Sequence, residues 1–244
     1  MPLCQRGALI GALCISSATL TSPASAYDAS MSMGRYSPVT TLVELAFGHS
    51  STKWRYDDET GTTETDELTL TLAEPLAEHT LGALDLGLAG SYQNRRSLTD
   101  NLTFSGSSAG VSLHHTVPLA VKPLVVNWHG TLDLAYRYYA LSDYTTTTTA
   151  RWKWHDFQIS PGVSLLFASR MELNIAALYH VVRGHEDINT ENSVSRTGDF
   201  DNDDRLLSAT TLTWHVDASG AIGAKVTGGS GDDTSWLLFF NRGY

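Results

Sequence analysis

A hydrophobic period of two, sustained over most of the chain, is the feature that most constrains this sequence. In 123–141, PLVVNWHGTLDLAYRYYAL, the even positions are Leu124, Val126, Trp128, Gly130, Leu132, Leu134, Tyr136 and Tyr138. The odd positions include Asn127, His129, Thr131, Asp133 and Arg137. A helix of period 3.6 cannot separate these sets onto two faces, whereas a strand does so at every step. Residues 171–182 repeat the arrangement: Met171, Leu173, Ile175, Ala177, Tyr179 and Val181 share one face, and Glu172, Asn174 and His180 the other. Ten such segments are expected, at about 39–55, 63–73, 79–95, 101–116, 123–141, 148–167, 171–184, 204–216, 220–228 and 234–244. The fold class is therefore all-β.

The connections alternate in kind. AEPLAE, VPLAVKP, ASR and DASG are short, whereas DDETGTTE, NRRSLTDN, SDYTTTT and HEDINTENSVSRTGDFDNDD are longer and polar. Short turns on one side and long loops on the other describe an outer-membrane barrel. The expectation is one closed antiparallel transmembrane β-barrel of about ten strands, within a range of 8–12, spanning 39–244. The longest external loop is expected at 185–203.

Residues 1–26 read as a secretory signal peptide. Arg6 precedes an apolar stretch from Ala8 to Leu20, and Ala24-Ser25-Ala26 offers a small-x-small site with cleavage expected after Ala26. The stretch is too short for a spanning helix. Leu13 is large where a lipobox before Cys14 needs a small residue. Residues 27–38 are expected to form a short periplasmic segment. Both cysteines, Cys4 and Cys14, lie in the signal, so the mature chain has no disulfide framework and must be stabilised by packing or by a membrane. A net charge of −10 argues against a nucleic-acid partner.

Alternation alone also describes a soluble barrel with its apolar face inward. The aromatic residues decide between the two. With the apolar face outward, Trp128, Trp214, Phe240 and Tyr244 fall at one level and Tyr92, Tyr136, Tyr138, Tyr179 and Trp236 at the other. Two aromatic bands with Leu, Val, Ile, Ala and Gly between them match the girdles at the two membrane interfaces. Strand 148–167 breaks the pattern. Trp152 and Trp154 are even, whereas Phe157, Ile159, Val163 and Leu165 are odd, which requires a bulge near His155 or a region above the membrane.

The chain closes on SWLLFFNRGY, with Trp236, Leu238, Phe240 and Tyr244 on the lipid face. These residues resemble the C-terminal signature of bacterial outer-membrane β-barrel proteins. The resemblance implies export to the cell outer membrane, recognition by the barrel-assembly machinery, and outer-membrane lipids and lipopolysaccharide as surroundings. Arg242 departs from the apolar or aromatic residue usual at its place. In class and size the chain is also similar to solitary autotransporter-type barrels.

The inward face is expected to gather Glu44, Asp85, His129, Asp133, Arg137, Glu172, His180, Arg205, His215 and Lys225. Mixed signs in a barrel this narrow favour a paired plug over a small pore. The expected function is thus a non-enzymatic scaffold or surface-interaction barrel, with an outer-membrane pore or a lipid A-modifying hydrolase as alternatives. No cofactor is expected. In DFDNDD, Asp199, Asp201 and Asp203 alternate like the start of a calcium loop, but Asp204 stands where an EF-hand needs Gly. A ten-strand barrel is also similar to the omptin proteases, yet no His here has Asp two residues before it. His49 and Ser51 in FGHSST are spaced as in the His-x-Ser of outer-membrane lipid A deacylases. That resemblance implies a base and a nucleophile near the outer leaflet, with Glu59 or Glu64 as the third member. Thr52 stands where that family has Asn.

Overall fold

The computed structural model describes residues 41–244 except 57–58, 80–81, 99–102, 120–126, 145–147, 168–169, 191–195, 204, 218 and 230–232. The expected signal peptide 1–26 and segment 27–38 lie outside the described residues. The strands are β1 (Leu42–Arg55), β2 (Thr60–His79), β3 (Gly82–Ser97), β4 (Thr103–Leu119), β5 (Asn127–Tyr144), β6 (Thr148–Phe167), β7 (Met171–Thr190), β8 (Arg196–Asn202), β9 (Leu206–His215), β10 (Gly220–Gly228) and β11 (Thr234–Gly243).

Each strand pairs antiparallel with its neighbours, and β11 returns to β1 from Leu42↔Gly243 to Ser51↔Thr234, which closes the barrel. β8 and β9 are one strand interrupted by a bulge. β7 pairs with β8 from Ile188↔Arg196 to Arg183↔Asp201, then with β9 from Tyr179↔Leu206 to Met171↔Trp214, one residue out of register with the first stretch. The wall therefore has ten strands, as the alternation predicts.

The outer face carries the apolar residues. Leu70 is 49% exposed and Ile175 57%, and Leu68, Leu88, Val226 and Leu238 are similarly open. Water would not tolerate so continuous a band, but hydrocarbon requires it. Along β7 the band runs from Met171 to Val181. Ten steps of about 3.3 Å, tilted by about 40°, rise roughly 25 Å, the height of a membrane barrel's apolar belt.

Above the band the faces exchange roles. Outward positions become Lys53, Arg55, Arg151, Lys153, His155, Arg183 and His185, while Trp54, Phe104, Tyr139, Leu141, Trp152, Trp154, Val182 and Phe200 turn inward and are buried. The register of β5 on β6 runs without a shift from Asn127↔Leu166 to Tyr144↔Thr149, so no bulge falls near His155. Trp152 and Trp154 lie above the membrane band and face the interior.

The strands also run further than expected. β7 continues to Thr190 and returns as β8, so the predicted loop 185–203 is mostly a paired arm of the wall. β2 extends through Pro75, where its register against β3 shifts between Pro75 and Ala77. Pro75 cannot donate to the ladder, which is why a bulge sits there.

The upper rim narrows. β10 and β11 are short, and above them β8 crosses to β1 through Trp54↔Asn202 and Arg55↔Asp201. The ring of ten strands becomes one of eight. An eight-strand ring is just wide enough for side chains to fill, and aromatic rings fill it. Tyr139 stacks on Trp154 (centroids 4.5 Å, 7°), Phe104 on Trp152 (4.6 Å), and Phe200 meets Trp54 edge-on at 5.2 Å. Phe200 lies across Gly184, its partner in the ladder, so a Cβ there would enter the ring. Trp152→Ala should cost about 3–5 kcal/mol, the range for emptying a large aromatic site. A denaturant titration of the refolded barrel measures it, and Gly184→Ala should also lower the midpoint by displacing Phe200.

Candidate functional site

The interior is built in tiers by the inward residues of successive strands. At the bottom, Glu172 of β7 faces His215 of β9 (3.5 Å), and Asp85 of β3 and His129 of β5 are also buried. One tier up, His114 of β4 bonds Asp133 of β5 through Nδ1, and its Nε2 is 2.9 Å from the Thr116 hydroxyl. His114 is absent from the expected set, although its even position on β4 already placed it inward. Above this, Arg137 donates to Glu67 (3.2 Å), and His180 is 2.9 Å from Asp156, which also accepts from Gln158 (3.1 Å). Neither Glu67 nor Asp156 was expected here. Asp156 was hidden by the apparent phase break in 148–167, and Glu67 by its place in 63–73, where no inward residue was singled out. Glu44 and Lys225 are inward as expected.

Arg205 corrects the expected set. The bulge between β8 and β9 turns it outward, with its side chain 44% exposed and bonded to Asp201 (3.3 Å), which also holds Arg55 at 2.6 Å. Asp199 pairs with His185 (2.7 Å) and Asp203 with Lys53 (3.8 Å). Arg55 also lies 4.0 Å from Asp203, so each of the three aspartates is paired with a basic side chain, and among the described residues no group of three metal-ligating side chains converges.

The tiers end under the aromatic lid. Arg95 of β3 is buried, with its guanidinium 4.3 Å from the Trp154 ring centre, 4.7 Å from Trp54 and 5.4 Å from Trp152. Rings facing a cation in a dry site attract it by about 2 kcal/mol. Trp54 Nε1 donates to Thr63 (2.7 Å) and Tyr56 to Glu186 (3.0 Å), so the lid is also tied by hydrogen bonds. Beneath it lies a cavity of about 230 Å³.

His49 and Ser51 are both on the outer face, where expected, at the top of the apolar band. His49 Nδ1 is 2.8 Å from Asp66 Oδ1, its cross-strand neighbour, and its ring lies 6.2 Å from Trp236. Neither Glu59 nor Glu64 takes that place. Among the described residues no hydrogen bond joins Ser51 to His49. Trp236, Leu238, Phe240 and Tyr244 are all exposed on the outer face, and Arg242 reaches Asp217 (3.6 Å). At that lower end the Ser219 amide donates to Asp217 (2.8 Å) and holds its carboxyl below the ordinary range.

No family model matches the chain, and no curated protein matches it. Among solved structures it is similar to the beta domain of the Bordetella autotransporter Brka, at 10% identity over 84% of this chain and 100% of that one, with a TM-score of 0.49. It is also similar to the outer membrane protease OmpT from Escherichia coli (6% identity, 84% and 96% covered, TM-score 0.48). A third likeness is to the translocator domain of autotransporter NalP from Neisseria meningitidis (8%, 86% and 90%, 0.46). Identities and scores this low assign no activity, and the barrel reading rests on the closure and on the apolar band.

The exposed His185 offers a pH test outside the band. Its hydrogen bond to Asp199, with Asp187 at 3.3 Å, raises its pKa above the ordinary histidine value of 6.5. The pairing therefore favours the folded arm fully below that value and is lost as pH rises through the raised one. NMR titration should place His185 above 6.5. Asp199→Asn should bring it back down.

Proposed function

We propose that this chain is an integral outer-membrane β-barrel with a closed lumen, a non-enzymatic scaffold or surface-interaction barrel. The observation that carries the reading is the lid. Six aromatic rings fill the narrowed rim over tiers of charges that pair within the wall. An open pore would leave a continuous polar path, and a selective one would favour rings of one sign. Outer-membrane lipid, lipopolysaccharide and the barrel-assembly machinery are the surroundings this reading implies. The C-terminal aromatic face of β11 and the exposed apolar band support it.

Fractionation should recover the protein with the outer membrane, heat-modifiable on a gel; recovery from soluble periplasm would overturn the reading. In planar bilayers the purified barrel should give little steady current. Steady currents altered by Asp133→Ala or Arg137→Ala would favour a small pore instead. Tags at the upper arm should be detected on intact cells and tags at Ser219 should not. The middle of the loop expected at 185–203, around Asn192, lies outside the described residues.

The His49–Asp66 bond supports a second reading, a lipid-modifying hydrolase with Ser51 as nucleophile. A carboxylate on Nδ1 orients an imidazole as a base. Incubation with lipopolysaccharide separates the two. Release of a fatty acyl chain that is lost in Ser51→Ala would favour the enzyme, and intact lipid favours the scaffold.

A further inference from the structure

Above the apolar band the outer wall is not evenly charged. On β2 the outward Leu68 is followed upward by Asp66 and Glu64. On β6 Phe157 is followed by His155, Lys153 and Arg151, and on β7 Val181 is followed by Arg183 and His185. A chain of net charge −10 thus collects basic side chains on two adjacent strands. The register sets His155 opposite Arg183 and Lys153 opposite His185. Opposite side chains have Cβ atoms about 4.5–5.5 Å apart, and diagonal ones such as Lys153 and Arg183 about 7–8 Å. Cations placed this way repel one another and weaken the sheet unless an anion lies among them.

The wall does not supply that anion. Arg151, Lys153 and Arg183 are exposed, and among the described residues no ion pair or hydrogen bond engages any of them. The acids beside them are taken. Asp187, opposite Arg151, is 3.3 Å from His185. Asp201, opposite Arg183 on β8, holds Arg55 (2.6 Å) and Arg205 (3.3 Å). Depth adds a second observation. Tyr136 and Tyr138 stand at the upper edge of the band, and the Tyr136 hydroxyl is 2.7 Å from His155 Nδ1. Lys153 is two residues above His155, a rise of about 5 Å on a strand tilted by about 40°. The headgroup layer of one leaflet is about 5–8 Å deep. Arg183 and Lys153 therefore bracket the depth at which lipid phosphates lie.

We infer that this sector of β6 and β7 binds the phosphate group of an outer-leaflet glycolipid, with Lys153 and Arg183 as its cationic ligands. The guanidinium of Arg183 offers paired donors to phosphate oxygens, and Lys153 adds a point charge on the diagonal. Arg151 lies one outward position above them, and Tyr138, cross-strand from His155, brings a hydroxyl that has no partner among the described residues. The acyl chains of the same lipid run down Phe157 and Ile159 of β6 and Tyr179 and Val181 of β7, which continue the two strands into the band. A free anion would gain only the polar contacts, whereas a lipid gains both. The inference rests on the outer-membrane reading and deepens it by giving the surrounding lipid a fixed place on the wall.

Native mass spectra of the barrel refolded in dodecyl maltoside and titrated with lipid A read the binding directly. Lipid A carrying both phosphates should bind at least about tenfold more tightly than lipid A stripped of them. Lys153→Gln and Arg183→Gln should each weaken it about fivefold, and the double variant tenfold or more. Both side chains are exposed above the band, and heat-modifiability on a gel checks that each variant has folded. Arg170→Gln removes the same charge at the lower end of the barrel and should leave the affinity unchanged. Equal binding of the two lipids would overturn the inference, as would undiminished binding in the folded double variant or equal weakening by Arg170→Gln. Displacement of lipid A by an equal concentration of inorganic phosphate would also overturn it, pointing to a free anion as the occupant. A barrel that fractionates with the outer membrane but binds lipid A without regard to its phosphates would overturn this inference alone and leave the reading beneath it standing.

Discussion

What touches the outer wall decides the rest of this structure. In hydrocarbon no backbone donor or acceptor can be left unpaired, so the sheet has to close on itself, and β11 pairs with β1 over ten residues of each. The same solvent demands apolar side chains outside. The polar partners then have only the lumen left, where each charge must find an opposite one at short range. The pairs Glu67–Arg137, Asp156–His180 and Glu172–His215 follow from that demand. Breaking one of them would leave an uncompensated buried charge, which costs more than the intact pair gains.

The strands outrun the membrane, and above it the requirement reverses. Water accepts Lys53, Arg151 and His185 outside, so apolar side chains can move in. The level of the change is marked on the outer face by Tyr136 and His155, whose hydroxyl and Nδ1 are 2.7 Å apart, and by Tyr138 packed on the same imidazole at 5.1 Å. The short β10–β11 hairpin and the crossing β8 make the upper ring narrow enough for the inward rings to meet. A wider ring would have left them facing a gap. The lid therefore depends on a difference in strand length as much as on the residues that compose it.

The all-β class, the ten-strand wall and the faces of β1, β5 and β7 were legible in the sequence because the period of two continues through each. So were His49, Ser51 and the outward row of β11. The lid was not, because its residues obey the alternation of a soluble barrel inside a chain read as a membrane one. Trp152 and Trp154 gave the signal as an apparent phase error. Tyr139 and Leu141 gave it again, at odd positions opposite in phase to the lipid-facing Tyr136 and Tyr138. Arg205 was misplaced because the one-residue bulge between β8 and β9 changes the face of everything beside it, and nothing in RTGDFDNDDRLL announces where the extra residue falls. The partner of His49 was missed for a different reason. Asp66 lies opposite it only once the β1–β2 register is known.

That register also bears on whether the outer-face histidine is chemical or structural. Asp66 fixes Nδ1 of His49 and Trp236 covers its ring, so the imidazole is held in one orientation. A general base must also stand within about 2.6–3.2 Å of the proton it takes. Residues two apart on one strand face lie about 6.6 Å apart at the backbone, and Ser51 does not bridge that distance here. The structure thus contains the oriented base but not its contact with a nucleophile. A polar pair at the top of an apolar belt, capped by an interfacial tryptophan, is also what anchoring a barrel at the water boundary requires. The same three side chains serve that role without any further movement, whereas catalysis would need a local twist of β1 at the place where it leaves β11.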